Sequence, residues 1–96
     1  MTTKFQVHRV FPNQDRSLFI VSGIVLDGDP HTGMTASLPG NVEFTERVHG
    51  VEFATRTEDD PSTSEPALTF YYSSDAKLEK WRTLDWKDQV LTLHWS

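Results

Sequence analysis

The sequence has four histidines, His8, His31, His49 and His94, and these side chains are the best suited to proton transfer or metal binding. Histidine titrates near neutral pH and is a frequent metal ligand. No two of them have the spacing that places a metal-binding pair on a single strand or helix. We therefore expect neither a metal site nor a catalytic histidine. The enzyme alternative, a small histidine-dependent hydrolase, requires a pocket lined by at least two of the four.

Two further features resemble reactive sites. Ser22 precedes a glycine, but the G-x-S-x-G elbow of serine hydrolases is absent. The segment 57–66, TEDDPSTSEP, has four acidic residues that could bind calcium loosely, but it lacks a loop-defining glycine. We interpret it as a mobile acidic loop. The absence of cysteine excludes thiol chemistry and disulfides, so we expect no enzyme activity and no cofactor.

A basic strip is the first candidate binding feature. Arg47 and His49 share one face of an extended strand. A bulge at Gly50 would continue that face towards the end of the same strand. Such a strip favours an anionic partner or an RNA end, and the alternative is ordinary solvent-facing residues paired with Glu46 and Glu52. The strip consists of His8, Arg9, Arg47, His49 and Arg56.

The tryptophans are the second candidate binding feature. Aromatic side chains are enriched in binding surfaces, and Trp86 has the polar neighbours of LDWKD. We interpret Trp86 as an exposed docking residue. Trp81 and Trp95 are expected in the core, because a small barrel needs large side chains to fill it.

Length and charge restrict the partner. A chain of 96 residues forms one domain, and nine basic against fourteen acidic residues give a net charge of −5. Binding along a nucleic-acid backbone requires a basic face. A protein partner is therefore favoured over RNA, and no DNA partner is expected. No apolar run is long enough for an export signal or a membrane span. We expect a soluble cytoplasmic protein that is a monomer or a weak homo-oligomer, with no membrane partner.

The chain reads as strands joined by turns. Apolar and β-branched runs predict six strands, and Ser74 or Asp75 could begin a short helix that ends at Arg82. Gly23, inside the longest apolar run, predicts a bend or a bulge. Together these features predict an all-β, closed six-stranded Greek-key barrel with one helical connector. The strands cover residues 4–11, 17–26, 34–38, 41–56, 67–72 and 89–95.

Five short pieces of the sequence occur in a characteristic order and spacing. They are Val10–Phe11, FIVSGIV at 19–25, Gly28 with Gly33, VHGVEF at 48–53 and QVL at 89–91. With these pieces the chain resembles the second domain of elongation factor Tu and related translational GTPases, a six-stranded Greek-key barrel. The resemblance covers residues 5 to 93, roughly the whole chain. It implies a barrel that in the family helps to hold the aminoacyl end of tRNA.

The departures from the family pattern affect the expected function. No P-loop precedes the barrel in this sequence, so we expect no GTPase domain. The family glycine before the closing strand is Asp88 here. Two acidic residues of the family's aminoacyl pocket are replaced by His8 and Arg9, which would repel an ammonium group. Within this pocket cluster only Phe11 keeps its family identity, so the aminoacyl pocket itself is not carried over.

The sequence therefore predicts a non-enzymatic β-barrel binding module that engages a protein partner. Binding of translation-related RNA or of the ribosome is the alternative. No catalytic, cofactor-binding or metal-binding residues are expected. The predicted binding residues are His8, Arg9, Phe11, Arg47, His49, Arg56 and Trp86.

Overall fold

The chain forms an antiparallel sheet and one short helix. The computed structural model describes residues 2–38, 41–55 and 64–95. Within these residues the sheet has seven strands in the order β4-β3-β7-β1-β2-β6-β5, and it curls into a half-barrel. The elements are β1 (Thr2–Asn13), β2 (Leu18–Asp27), β3 (Thr35–Leu38), β4 (Asn41–Arg47), β5 (Gly50–Thr55), β6 (Ser64–Tyr71), α1 (Asp75–Arg82) and β7 (Val90–His94).

The seventh strand arises because the predicted strand 41–56 is divided into β4 and β5. Val48 donates its N–H to the carbonyl oxygen of Met34 at 2.8 Å, which continues the pairing of β4 with β3. The next residue, His49, donates its N–H to the carbonyl oxygen of Thr69 at 2.8 Å and so begins the pairing with β6. One continuous segment therefore supplies both edges of the curled sheet.

Gly23 lies at a close approach of the two longest strands, β1 and β2. His8 is an extra residue in β1 opposite Ser22 and Gly23, which makes a bulge in β1. A Cβ atom at position 23 would lie 1.8 Å from the carbonyl oxygen of Gln6. Glycine is therefore required by this close approach of two backbones.

The core lies between the concave face of the sheet and α1. In β1 the alternating residues Thr3, Phe5 and Val7 are buried, as the two-residue period of a strand dictates. Helix α1 begins at the N-cap Ser74, whose side-chain oxygen accepts the backbone N–H of Lys77 at 3.2 Å. The helix closes the core with its two buried residues, Leu78 and Trp81.

An aromatic cluster fills the centre of this core. The ring centroid of Phe44 lies 5.2 Å from that of Phe70, 5.3 Å from that of Trp81 and 4.8 Å from that of Trp86. All three contacts are edge-to-face, the geometry that aromatic quadrupoles favour. The cluster joins β4, β6, α1 and the segment before β7 into one packed unit.

The predicted acidic loop 57–66 is shorter at its carboxyl end than the sequence suggests. Strand β6 begins at Ser64, and Glu65 pairs with Ala54 of β5. Glu65 is buried, with 6% of its surface exposed. Residues 57–63 lie outside the described residues.

An exposed ion pair joins the turn after β1 to the edge strand β5. The Arg16 guanidinium donates to both carboxylate oxygens of Glu52, at 2.6 and 3.1 Å. The hydrogen bond from Arg16 is the main reason that the pKa of Glu52 lies below its usual range.

We expect the stabilisation from this pair to depend on pH. A carboxyl group whose pKa is lower in the folded state stabilises the protein above its unfolded-state pKa, and this is lost as the pH falls through its folded-state pKa. Urea unfolding of Arg16→Gln should therefore show a small loss of stability at pH 7 that disappears below the folded-state pKa of Glu52. Arg82→Gln, at another exposed ion pair, is the control. A loss of stability in Arg16→Gln that grows on acidification would contradict the assignment of the pH dependence to Glu52.

Candidate binding surface

A concavity of about 560 Å³ lies where β4, β6 and α1 meet. We call it the cationic depression. Arg47 reaches it from the end of β4 and His49 from the link between β4 and β5. Lys77 reaches it from the first turn of α1, and Tyr71 from the end of β6. Tyr71 is 55% exposed, an unusual surface for a large aromatic side chain. The lining residues are Thr32, Gly33, Glu46, Arg47, Val48, His49, Tyr71, Ser73 and Lys77.

The electrostatics of the cationic depression are mixed but favour an anion. Lys77 Nζ lies 3.3 Å from Glu46 Oε1 and 5.4 Å from the ring centroid of Trp81. Arg47 adds a second permanent positive charge against the single carboxylate of the lining. The His49 and Tyr71 rings lie side by side, with centroids 6.3 Å apart and an angle of 31°. The surface can therefore hold a carboxylate or phosphate while a flat group packs on the rings.

A second depression, of about 340 Å³, is lined by His8, Arg9, Glu65 and Asp88. Glu65 Oε1 lies 2.8 Å from His8 Nδ1, and the Glu65 side chain is only 7% exposed. Because His8 is the bulged residue of β1, its side chain can reach the carboxylate on β6, which is not a neighbouring strand. His8 thus partners a buried carboxylate.

Asp88 adopts a backbone conformation that is uncommon for residues other than glycine. Its φ of 62° lies in the left-handed region, where aspartate is one of the few tolerated side chains. Its N–H donates to the carbonyl oxygen of Val7 at 3.0 Å, which ties the segment before β7 to β1.

The predicted basic strip is divided in two. Arg47 and His49 line the cationic depression, whereas His8 and Arg9 line the second one, and the two share no lining residue. Phe11 is half-buried, with the Arg9 guanidinium 5.3 Å above its ring centroid. Arg56 lies outside the described residues.

The two glutamates considered as partners of the strip pair with other cations. Glu46 lies beside Lys77, and Glu52 binds Arg16. In the ion pairs described for these two carboxylates, the cation is therefore not a residue of the strip.

The prediction that Trp86 is an exposed docking residue is wrong. Its ring is 4% exposed, and its Nε1–H donates to the carbonyl oxygen of Trp81 at 2.7 Å. The polar neighbours in LDWKD are solvent-facing turn residues that surround an inward-pointing ring. Trp95, which we expected in the core, is instead 59% exposed.

Sequence reasoning missed Tyr71 and Lys77 as surface candidates. Tyr71 follows the fully buried Phe70, so strand alternation would have placed it on the outer face. Lys77 precedes the inward residue Leu78 on α1 and therefore lies off the buried side of the helix. The periodicity of each element carried the signal, but their meeting around Arg47 depends on the tertiary fold.

The histidines are dispersed. His8, His31 and His49 line three different depressions. Across residues 2–38, 41–55 and 64–95, no group of three histidine or acidic side chains could hold a metal ion. Within the same ranges, no helix is long and apolar enough to cross a membrane.

Comparison of the chain with known protein families, with curated proteins and with solved structures gives no match.

Proposed function

We propose that this chain is a non-enzymatic binding module, a closed six-stranded Greek-key barrel resembling the second domain of elongation factor Tu, that engages an acidic segment of a protein partner. The observation that carries the binding role is the cationic depression, where Arg47, Lys77 and the exposed Tyr71 meet.

Three features of the backbone support the barrel. If β4 and β5 are counted as one bent strand, the segment 41–55 pairs with β3 on one side and with β6 on the other, so every strand has two neighbours. Gly23 occupies a close backbone approach. Gly28 and Gly33, with positive φ of 77° and 95°, lie in the turn between β2 and β3.

A short acidic protein segment fits the depression better than a nucleic-acid backbone does. Continuous phosphate binding needs several cations along a groove. Here Glu46 faces Lys77 inside the depression, and the chain as a whole carries a net charge of −5. Two cations and one aromatic ring suffice for one or two carboxylates and an adjacent side chain.

The exposed rings favour one second candidate, the end of an RNA strand. A base could stack on Tyr71 beside His49 while its phosphate approaches Arg47.

The hydrolase alternative needs two histidines in one pocket. His8, His31 and His49 line separate depressions, and this supports a binding role.

We expect the double variant Arg47→Glu/Lys77→Glu to bind a fluorescein-labelled hexaglutamate peptide about tenfold more weakly than the unmodified protein does. Each surface ion pair contributes up to about 1 kcal/mol, and about 1.4 kcal/mol corresponds to a tenfold change in Kd. Fluorescence anisotropy at two salt concentrations measures the change. A labelled hexauridylate titrated in parallel tests the RNA candidate.

The matched control is Arg82→Glu/Lys87→Glu, which changes the net charge by the same amount at two exposed positions outside the depression. It should bind the peptide almost normally. Equal loss in both double variants would indicate non-specific charge attraction. Tighter binding of hexauridylate than of hexaglutamate, lost in Arg47→Glu/Lys77→Glu, would replace the protein partner by RNA.

A further inference from the structure

A third concavity, on the other side of the turn between β2 and β3, has a different chemistry. It encloses about 220 Å³. The exposed indole of Trp95 forms part of its wall, and the His31 ring stacks on that indole with centroids 6.0 Å apart and an angle of 22°. Thr32 and Gly33 of the same turn line the cationic depression. The residues of this aromatic pocket are Thr2, Thr3, Gly28, Asp29, His31, Met34 and Trp95.

The turn that carries the pocket is held in place by several contacts. Gly28 has a φ of 77°, and a Cβ atom there would lie 2.7 Å from Thr3 Oγ1. That hydroxyl donates to the carbonyl oxygen of Asp29 at 3.1 Å. The backbone N–H of His31 points at the sulfur of the buried Met34, 3.3 Å away. The pocket is thus largely formed before a ligand arrives, which reduces the entropy that binding must overcome.

Trp95 is placed to present its ring to a ligand. It directly follows β7, whose Leu91 and Leu93 point into the core, but position 95 lies beyond the last paired residue of the strand. A Cβ atom at Gly33 would be 3.4 Å from Trp95 Cζ3, an ordinary van der Waals contact, so the indole lies directly against the turn. A large indole that is 59% exposed and backed by a second ring is a typical surface for recognising a cation.

The charge of the pocket agrees with a cationic ligand. Among the described residues that line it, Asp29 carries the one formal charge at neutral pH. An alkylammonium or guanidinium group above the indole would be attracted by the π-face and by this carboxylate, while its methylene stem could pack on the apolar wall. The cationic depression, with Arg47 and Lys77, has the opposite preference.

We propose that the Trp95 pocket binds a cationic side chain, a lysine or an arginine, of a protein partner. The inference is independent of the acidic-segment proposal, because it uses different residues and the opposite charge. Together the two sites would bind a partner that has both an acidic and a basic side chain. The acidic side chain would bind on one side of the 28–34 turn and the basic side chain on the other.

The test is titration of ¹⁵N-labelled protein with Nα-acetyl-lysine methylamide, followed through the tryptophan indole N–H signals. We expect the Trp95 signal, assigned with Trp95→Phe, to move, while those of the buried Trp81 and Trp86 stay in place. Nα-acetyl-norleucine methylamide, which has the stem without the charge, should bind about tenfold more weakly. The arginine counterpart of the probe decides between the two cations.

Asp29→Asn should weaken lysine binding about threefold. Trp95→Ala, which has no Trp95 signal and is followed through the backbone amide signals of residues 28–34, should weaken it about fivefold or more. Asp15→Asn, an exposed acid in the turn before β2, should leave it unchanged. Equal shifts with the norleucine probe, an unmoved Trp95 signal with both cations, or equal losses in Asp29→Asn and Asp15→Asn would each overturn the proposal. None of these results affects hexaglutamate binding, so the two proposals can fail separately.

Discussion

Gly23→Ala is expected to destabilise the fold by at least about 3 kcal/mol, a large share of the total stability of a small domain. The added methyl group would lie 1.8 Å from the carbonyl oxygen of Gln6 and 3.1 Å from Cε1 of Phe5. A side chain could rotate away, but a backbone oxygen moves only with its strand. Relief therefore requires β1 and β2 to separate at the point where both are buried. Urea unfolding followed by tryptophan fluorescence measures the loss.

Gly50→Ala is the matched control. Its new methyl group would lie 3.2 Å from Thr69 Oγ1, a side-chain atom, and position 50 has no positive φ. The cost should be about 1 kcal/mol, because the threonine can shift by a few tenths of an ångström. If both variants lose the same stability, the close approach at Gly23 does not determine the fold.

The strand content and the interruptions of the strands could be predicted because they depend on local sequence patterns. The alternation around Phe5, the glycine in FIVSGIV, the phase slip at His49–Gly50 and the cap at Ser74 each depend on a few neighbouring residues. The division of the fourth strand into β4 and β5 could not be predicted in the same way. It depends on which strands lie on either side of Val48 and His49, and this is a property of the whole sheet.

The residues of the candidate binding surfaces were harder to predict, because the exposure of a side chain is set by contacts distant in sequence. The same alternation that buries Leu91 and Leu93 would also bury Trp95. The strand ends one residue before Trp95, however, and the indole is exposed. The Glu65–His8 pair depends on a bulge that joins strands far apart in sequence. Charge pattern identified Arg47 and His49 correctly as neighbours, but their companion Lys77 comes from the helix.

Trp86→Ala is expected to lose about 3 to 5 kcal/mol of stability, the range for truncating a buried aromatic residue. The ring contacts Phe44 and Phe19 at centroid distances of 4.8 and 5.4 Å, so its removal leaves a cavity in the centre of the core. The carbonyl oxygen of Trp81 would also lose the 2.7 Å hydrogen bond from the indole. Trp86→Phe, which fills much of the cavity but not the hydrogen bond, should lose clearly less.

Trp95→Ala provides the contrast, because the same substitution at a 59%-exposed position should change stability by no more than about 0.5 kcal/mol. Urea unfolding of the two alanine variants compares identical chemistry in opposite surroundings. A small loss in Trp86→Ala would restore it as a surface docking residue and would leave the core without the ring that joins β4 to the segment before β7. A large loss in Trp95→Ala would mean that the indole supports the fold, and its exposed face could then no longer be assigned to ligand binding alone.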